Sequence, residues 1–149
     1  MDERIVVGVD GSESSRRALR WAARQAKVTG ASLDVVIAWE VPPTYRWNVS
    51  SPRDLRVVAE SILEAAIADV LGQDPDVDVK PAVVEGHPVP VLLNAAQGAS
   101  LLVVGSRGHR TFTGILLGSV SNHCVTHATC PVTVVRDGGQ QEGGDPRLR

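Results

Sequence analysis

The sequence predicts an α/β fold in which a parallel β-sheet carries helices on both faces. Two observations lead to this prediction. Short runs rich in β-branched residues alternate along the chain with segments in which apolar residues recur at helical spacing. Such alternation produces parallel strands joined by right-handed crossovers. The chain has 149 residues, which fits one domain with a substantial core.

The first half of the chain predicts a strand, a turn, a helix and a second strand. Residues 4–9 (RIVVGV) form the first β-branched run, and Ser12 is the expected N-cap of a helix over residues 13–30. Apolar residues of this helix recur at spacings of three and four: Ala18, Leu19, Ala22, Ala23 and Ala26. Gly30 is expected to end the helix, and residues 31–39 form the second strand.

The second half continues the alternation. A loop rich in proline and aromatic residues leads into a helix over residues 53–72. The third strand, residues 76–86, contains Pro81, which lacks the N–H donor of a sheet ladder and therefore predicts an edge strand. The last four elements are a short helix with early prolines, a strand over residues 99–105, a helix from Ser119 to about Thr129, and a strand over residues 131–136.

Composition argues against two classes of partner. The chain has 15 Lys and Arg against 17 Asp and Glu, and its net charge of -2 gives no basic surface of the kind that nucleic acids require. No apolar run approaches the roughly 20 residues of a membrane span, and the acidic start runs directly into a strand, unlike a secretory signal. Cys124 and Cys130 are expected to stay reduced. We therefore expect a cytoplasmic protein that binds neither nucleic acid nor membrane.

Residues 103–122 (VVGSRGHRTFTGILLGSVSN) place several glycines directly after an apolar strand. Gly105 and Gly108 lack a β-carbon, so the backbone there can approach a ligand with its N–H groups exposed. Gly118 leads into a helix whose N-terminus favours an anion, and Ser119 and Ser121 add hydroxyl donors. This is the chemistry of a phosphate site, and it is also the composition of an ordinary loop. Parallel sheets bind ligands at the carboxyl ends of their strands, where this segment begins.

The spacing of these residues, with Gly105 and Gly108 followed after nine residues by Gly118 and Ser119, resembles the nucleotide motif of the universal stress protein family, in its ATP-binding branch. Residues 4–22 and 116–136 also resemble the two ends of that family. The resemblance implies a Rossmann-like open sandwich whose five-stranded parallel sheet has the order 3-2-1-4-5. It assigns the family domain to residues 1–136. Residues 137–149, which have no apolar stripe, are expected to form a disordered tail.

The resemblance also implies a set of ligand contacts. The bound molecule would be ATP or a related adenine nucleotide, with or without Mg²⁺. Asp10 would contact the adenosine, and the backbone of Ala38 would meet the adenine. The residues after the fourth strand would flank the nucleoside and approach the phosphates: Val104, Gly105, Arg107 and Gly108. The residues that would hold the phosphates at the helix start are Gly118, Ser119, Val120 and Ser121.

The function that the resemblance implies is a stress-responsive module that binds adenine nucleotide and signals its occupancy to an unidentified protein partner. The last strand would form a sheet edge, and an open apolar edge favours pairing into a homodimer, as in the family. One alternative is an enzyme, either a slow ATPase or a phosphate donor to its own serines. Another is an interaction dimer without nucleotide. The sequence contains no P-loop lysine, and we assign no catalytic residue.

Several residues have a second interpretation. Asp10 can instead cap the first helix. Trp39, Tyr45 and Trp47 can lie over the base or pack locally. His123 and His127 have the spacing of a zinc-binding pair, but no third ligand is evident, and we assign no metal site.

Overall fold

A computed structural model of the chain describes residues 3–41, 52–73, 76–107 and 118–137. Within these residues, strands and helices alternate as the sequence predicts. The strands are β1 (Arg4–Gly8), β2 (Ser32–Trp39), β3 (Val79–Glu85), β4 (Leu101–Gly105) and β5 (Val132–Val135). The helices are α1 (Glu13–Thr29), α2 (Pro52–Leu71), α3 (Pro88–Ala95) and α4 (Ser119–His127). None of these helices is both long and apolar enough to cross a membrane.

The strands pair in parallel in the order β3-β2-β1-β4-β5, which confirms the predicted α/β fold and its strand order. In β3, Pro81 pairs with Val35 of β2 on one side, and the described chain places no strand on its other side. Because β3 has a neighbouring strand on one side only within the described residues, the N–H that Pro81 lacks removes no hydrogen bond from the sheet. The prediction of an edge strand is therefore confirmed. Strand β5 forms the opposite edge.

Two apolar layers cover the faces of the sheet. Successive side chains of a strand point to opposite faces, so the fully buried Val6 and Val7 of β1 enter different layers. Val7 packs in the layer formed with α1 and α2, where Leu19 and Leu63 are also fully buried. Val6 packs in the layer formed with α3 and α4, together with Leu102. Strand β1 is thus apolar on both faces, as expected for the centre of a parallel sheet.

The ends of α1 are formed by the residues that the sequence predicts. The Ser12 side chain accepts a hydrogen bond from the Ser15 amide at 3.1 Å and so serves as the N-cap. Gly30 has φ of 76°, in the left-handed region, and its amide donates to the Ala26 carbonyl. These local interactions fix where the helix begins and ends.

Arg4 connects the amino end of the sheet to the end of α3. Its guanidinium donates to the carbonyl oxygens of Ala95 and Gln97, both at 2.7 Å, and forms an ion pair with Asp34 at 3.2 Å. The carbonyl groups at a helix C-terminus carry partial negative charge, which a cation stabilises. Arg4 therefore holds α3 at the sheet end opposite the carboxyl ends of the strands.

Candidate functional site

The candidate site lies where the carboxyl ends of β1 and β4 meet. The chain builds outward from β1 to β2 and β3 on one side, and from β4 to β5 on the other, so the strand order reverses between β1 and β4. Crevices at such reversal points are the usual ligand sites of open parallel sheets. Helices α1 and α4 both begin at this edge, because each follows one of these two strands.

Asp10 shapes the turn between β1 and α1. Its Oδ1 atom accepts a hydrogen bond from the Ser12 amide at 2.9 Å, and Gly11 between them has φ of 86°. This is an Asx-type turn, in which the aspartate side chain orders the backbone two residues onward. The helix cap itself belongs to Ser12. Asp10 thus orders the turn before α1. It does not cap the helix, which was the structural alternative suggested by the sequence.

The first turn of α1 packs directly on the end of β4. A β-carbon built on Gly105 would lie 2.5 Å from Ser14 Oγ and 2.8 Å from the Ser14 carbonyl oxygen. Ser14 is only 7% exposed, and its hydroxyl accepts a hydrogen bond from the Arg107 amide at 3.2 Å. The glycine at position 105 is therefore required by contact between two elements of the protein, before any ligand is considered.

Hydrogen bonds hold the start of α4 against the end of β4. The Gly118 amide donates to the Ser106 carbonyl at 2.7 Å, and the Ser106 amide donates to the Val135 carbonyl of β5 at 3.0 Å. The Ser121 hydroxyl donates to the Gly118 carbonyl at 2.9 Å and lies 3.5 Å from the Ser106 carbonyl. These bonds place the N-terminus of α4 at the carboxyl end of β4.

The N-terminus of α4 has the character of an anion site. Gly118 is the N-cap, and no side chain caps the helix by a hydrogen bond among the residues that the structure describes. The first amides of a helix have no partner within it, and they sit at the positive end of the helix dipole. The Ser119 side chain at this end is exposed, whereas Ser121 is buried and bonded within the turn.

Two arginines meet one carboxylate beside this helix start. Arg107 Nε lies 3.4 Å from Asp137 Oδ2, and Arg17 Nη1 of α1 lies 3.0 Å from Asp137 Oδ1. Asp137 is the first residue of the expected tail, and it follows β5 closely. Residues 138–149 lie outside the described residues.

The other predicted contacts lie at the same edge or outside the described residues. Ala38 lies near the end of β2, the strand between β1 and β3, and pairs with Val84 of β3. The Val104 side chain is buried in the layer under α3 and α4, so only its backbone faces the edge. Trp39 packs against the layer under α1 and α2. Gly108, Tyr45 and Trp47 lie outside the described residues.

The two histidines of α4, Cys124 in the same helix and Cys130 after it do not assemble a metal centre in the described part of the chain. The His123 and His127 rings stack with centroids 6.2 Å apart. No group of three or more His, Cys, Asp or Glu side chains that could hold a metal ion is found among the described residues. Both cysteines are free thiols. Burial, reinforced by the neighbouring Cys130, raises the pKa of Cys124 to about 11, so this thiol is uncharged at neutral pH.

Three residues at this edge were missed from the sequence: Ser14, Ser106 and Asp137. The spacing of Ser14 could have indicated its burial, because it lies four residues before Ala18 and so extends the buried stripe of α1 toward the N-terminus. Ser106 contributes backbone hydrogen bonds to this edge, and such bonds do not depend on the type of residue. Asp137 contacts residues far away along the chain, and no local pattern marks such a pair.

Comparison with known proteins agrees with this architecture. The model of the universal stress protein family matches residues 1–136. A universal stress protein of Mycobacterium tuberculosis is 37% identical over 137 residues, which cover 89% of this chain and 43% of that protein. One from Mycolicibacterium smegmatis is 32% identical over 151 residues, covering 97% of this chain and 51% of that protein. The chain thus spans about half the length of these curated relatives.

Solved structures of similar proteins have the same fold. The crystal structure of a universal stress protein in complex with cAMP superposes with a TM-score of 0.70 at 30% identity, covering 89% of this chain and 96% of that one. UspA from Lactobacillus plantarum gives a TM-score of 0.76 at 22% identity, covering 90% and 97%. The protein from Archaeoglobus fulgidus in complex with dAMP gives 0.66 at 23% identity, covering 89% and 97%. The sequence, the strand order and these matches together show that the chain belongs to the universal stress protein family.

Proposed function

We propose that this chain binds an adenine nucleotide, ATP in particular, at the edge formed by β1 and β4. The observation that carries the proposal is the start of α4, which no described side chain caps and which the Gly118–Ser106 hydrogen bond holds beside β4. A relative that is 30% identical is in complex with cAMP, which supports an adenine nucleotide as the ligand.

The phosphates would lie at the N-terminus of α4. The amides of Ser119 and Val120 belong to the first turn, where backbone N–H groups favour an anion. Gly118 brings no side chain that would compete for this position. The exposed Ser119 hydroxyl can add one charge-assisted hydrogen bond to a phosphate oxygen. Ser121 would contribute indirectly, because its hydroxyl donates to the Gly118 carbonyl and orders the turn.

The adenosine would lie toward β1 and β2. A carboxylate has about four acceptor positions, so the bond from the Ser12 amide leaves Asp10 capacity to accept from a ribose hydroxyl or a base amine. The backbone of Ala38 lies at the same edge of the sheet. The Glu13 carboxylate, in the first turn of α1, is an oxygen ligand of the type that Mg²⁺ accepts, and phosphates and water would supply the remaining ligands of a bound ion.

The chain would act as a binding module that signals nucleotide occupancy to a protein partner. Strand β5 is an edge strand among the described residues, and its unpaired backbone groups support a two-fold homodimer formed through it. Sedimentation at micromolar concentration tests this, and a monomer would count against it. The two free thiols fit the cytoplasmic location, which stays a prediction.

The phosphate position is tested by Ser119→Ala. If the hydroxyl bonds a charged phosphate, ATP binding weakens by about 1.5–3 kcal/mol, because that is the usual contribution of a hydrogen bond to a charged group. The matched control is Ser100→Ala, an exposed serine at the opposite end of the sheet whose hydroxyl donates to the Arg4 carbonyl. Calorimetry that gave equal ATP affinity for the parent and both variants would place the phosphates elsewhere.

The adenosine position is tested by Asp10→Asn. Asparagine keeps an acceptor oxygen for the Ser12 amide, so the melting temperature without ligand should change little. ATP binding should weaken by up to about 1.5–3 kcal/mol, whereas inorganic triphosphate, which has no adenosine, should bind at least as well as before. Unchanged ATP affinity together with a lower melting temperature would leave Asp10 with its role in the turn alone.

A further inference from the structure

We propose that Asp137 is an internal counter-ion that competes with the nucleotide's phosphates for Arg107, and so sets how strongly the site prefers highly charged nucleotides. The inference rests on the proposed function, since it concerns the same site. Its basis is the ion-pair cluster in which the Asp137 carboxylate lies 3.0 Å from Arg17 and 3.4 Å from Arg107.

The backbone places Arg107 beside the proposed phosphate position. Its neighbour Ser106 accepts the hydrogen bond from Gly118, the N-cap of α4. The Arg107 amide is bonded to Ser14 of α1, which fixes the start of its side chain. An arginine side chain that leaves the backbone here is long enough to reach an anion at the start of α4. In the structure, the Arg107 guanidinium contacts the Asp137 carboxylate.

The cluster has the chemistry of an occupied anion site. A carboxylate bound by arginine is chemically similar to a phosphate bound by arginine, and guanidinium groups bind both. The contact to Arg107 is partly exposed, with 30% of the arginine side chain and 22% of the aspartate side chain accessible, so water screens it. A phosphate group that carries more negative charge than the Asp137 carboxylate, and that also contacts the α4 amides, can therefore displace Asp137 from Arg107. Arg17, at the shorter distance, retains the carboxylate afterwards.

The competition makes affinity depend on the charge of the ligand. Bringing a triphosphate beside Arg107 both breaks the contact to Asp137 and brings negative charge close to that carboxylate. A monophosphate suffers less repulsion, and adenosine suffers none. Removing the charge at position 137 should therefore help ATP most, ADP less and AMP least, and should not change adenosine.

The test is Asp137→Asn, which keeps the size of the side chain and removes its charge. Calorimetry should show ATP binding about two- to fivefold tighter than in the parent, the size expected for a partly exposed ion pair that water screens. The control is Asp69→Asn, which makes the same change of net charge where the carboxylate of α2 pairs with Arg16 at 2.8 Å. That control should leave ATP affinity unchanged.

Inorganic triphosphate separates this inference from the proposed function. Because it carries the charge without the adenosine, its binding should also tighten in Asp137→Asn. If the parent binds triphosphate but not ATP, the proposed nucleotide function is overturned. The competition between Asp137 and phosphate for Arg107 can then still be measured with triphosphate. Equal affinities in the parent and Asp137→Asn, or weaker binding in the variant, would overturn the role of Asp137. If neither ligand binds either protein, both proposals are overturned.

Discussion

Replacing Gly105 by alanine should destabilise the protein because the new methyl group would meet one residue, Ser14. The added β-carbon would lie 2.5 Å from Ser14 Oγ, and 2.8 Å and 2.9 Å from the Ser14 carbonyl oxygen and carbon. The Ser14 hydroxyl could turn away, but its backbone belongs to the first turn of α1 and can retreat only if the helix start moves. Such a movement would also lengthen the hydrogen bond from the Arg107 amide to the hydroxyl, now 3.2 Å.

The size of the effect follows from these two losses. Forcing an extra methyl group into a packed interface usually costs about 1–3 kcal/mol. The weakened hydrogen bond adds about 0.5–1.5 kcal/mol. We therefore expect Gly105→Ala to lower the free energy of unfolding by about 1.5–4.5 kcal/mol. For a chain of this size, each kcal/mol corresponds to roughly 2–4 °C in melting temperature.

Gly8→Ala is the matched control, measured by urea denaturation beside Gly105→Ala. Gly8 is also the last residue of a central strand, and its added β-carbon would lie 2.8 Å and 2.9 Å from the two methyl carbons of Leu92. Those atoms form the tip of a side chain, which can rotate at a cost of about 0.5–1.5 kcal/mol. Both variants make the same change in the unfolded chain. A loss for Gly105→Ala equal to or smaller than that for Gly8→Ala would refute the packing argument.

Four further predictions concern stability and reactivity. Ser12→Ala should lower the free energy of unfolding by about 0.5–2 kcal/mol in urea denaturation, because the Ser15 amide loses its cap. Arg4→Met should lower it by about 1–3 kcal/mol in the same assay, because the Ala95 and Gln97 carbonyls and the Asp34 carboxylate lose their donor. Cys124, whose folded pKa is raised from 9.0 to about 11, should resist alkylation at pH 8 until the protein unfolds, as mass spectrometry of labelled protein can check. Since the unfolded thiol ionises first, this group's contribution to stability should be complete below pH 9 and should fall as the pH rises toward 11, which denaturation at several pH values would detect.

Features set by nearby residues could be predicted from the sequence. Ser12 and Gly30 mark the ends of α1 because caps act on backbone groups within a few positions. Pro81 marks an edge strand because the missing N–H is a property of the residue itself. Gly118 marks the start of α4, because a glycine followed by serines is a local pattern typical of a helix start.

Features set by contacts between distant elements could not be predicted. The glycine at position 105 suggested a close approach to a ligand, yet the atoms that require it belong to Ser14, far away along the chain. The sequence suggests that the Ser121 hydroxyl can donate to a phosphate, but it does not reveal that this hydroxyl also donates to the Gly118 carbonyl in its own turn. Hydrophobic periodicity says which face of a helix is buried, but it does not say which atoms meet across that face.

The hydrogen bond from Gly118 to Ser106 also bears on how this protein can be re-engineered. It joins the two ends of the connection between Arg107 and Gly118 by a bond of 2.7 Å that involves only backbone atoms. Joining two fixed points by a loop becomes more costly by only about 0.6 kcal/mol for each doubling of the loop length. Residues 109–117 could thus be lengthened, shortened or exchanged for a foreign peptide, while Gly108, an expected phosphate contact, and the Gly118–Ser106 bond are kept. This connection is the natural place to insert a reporter group or to graft a new binding preference.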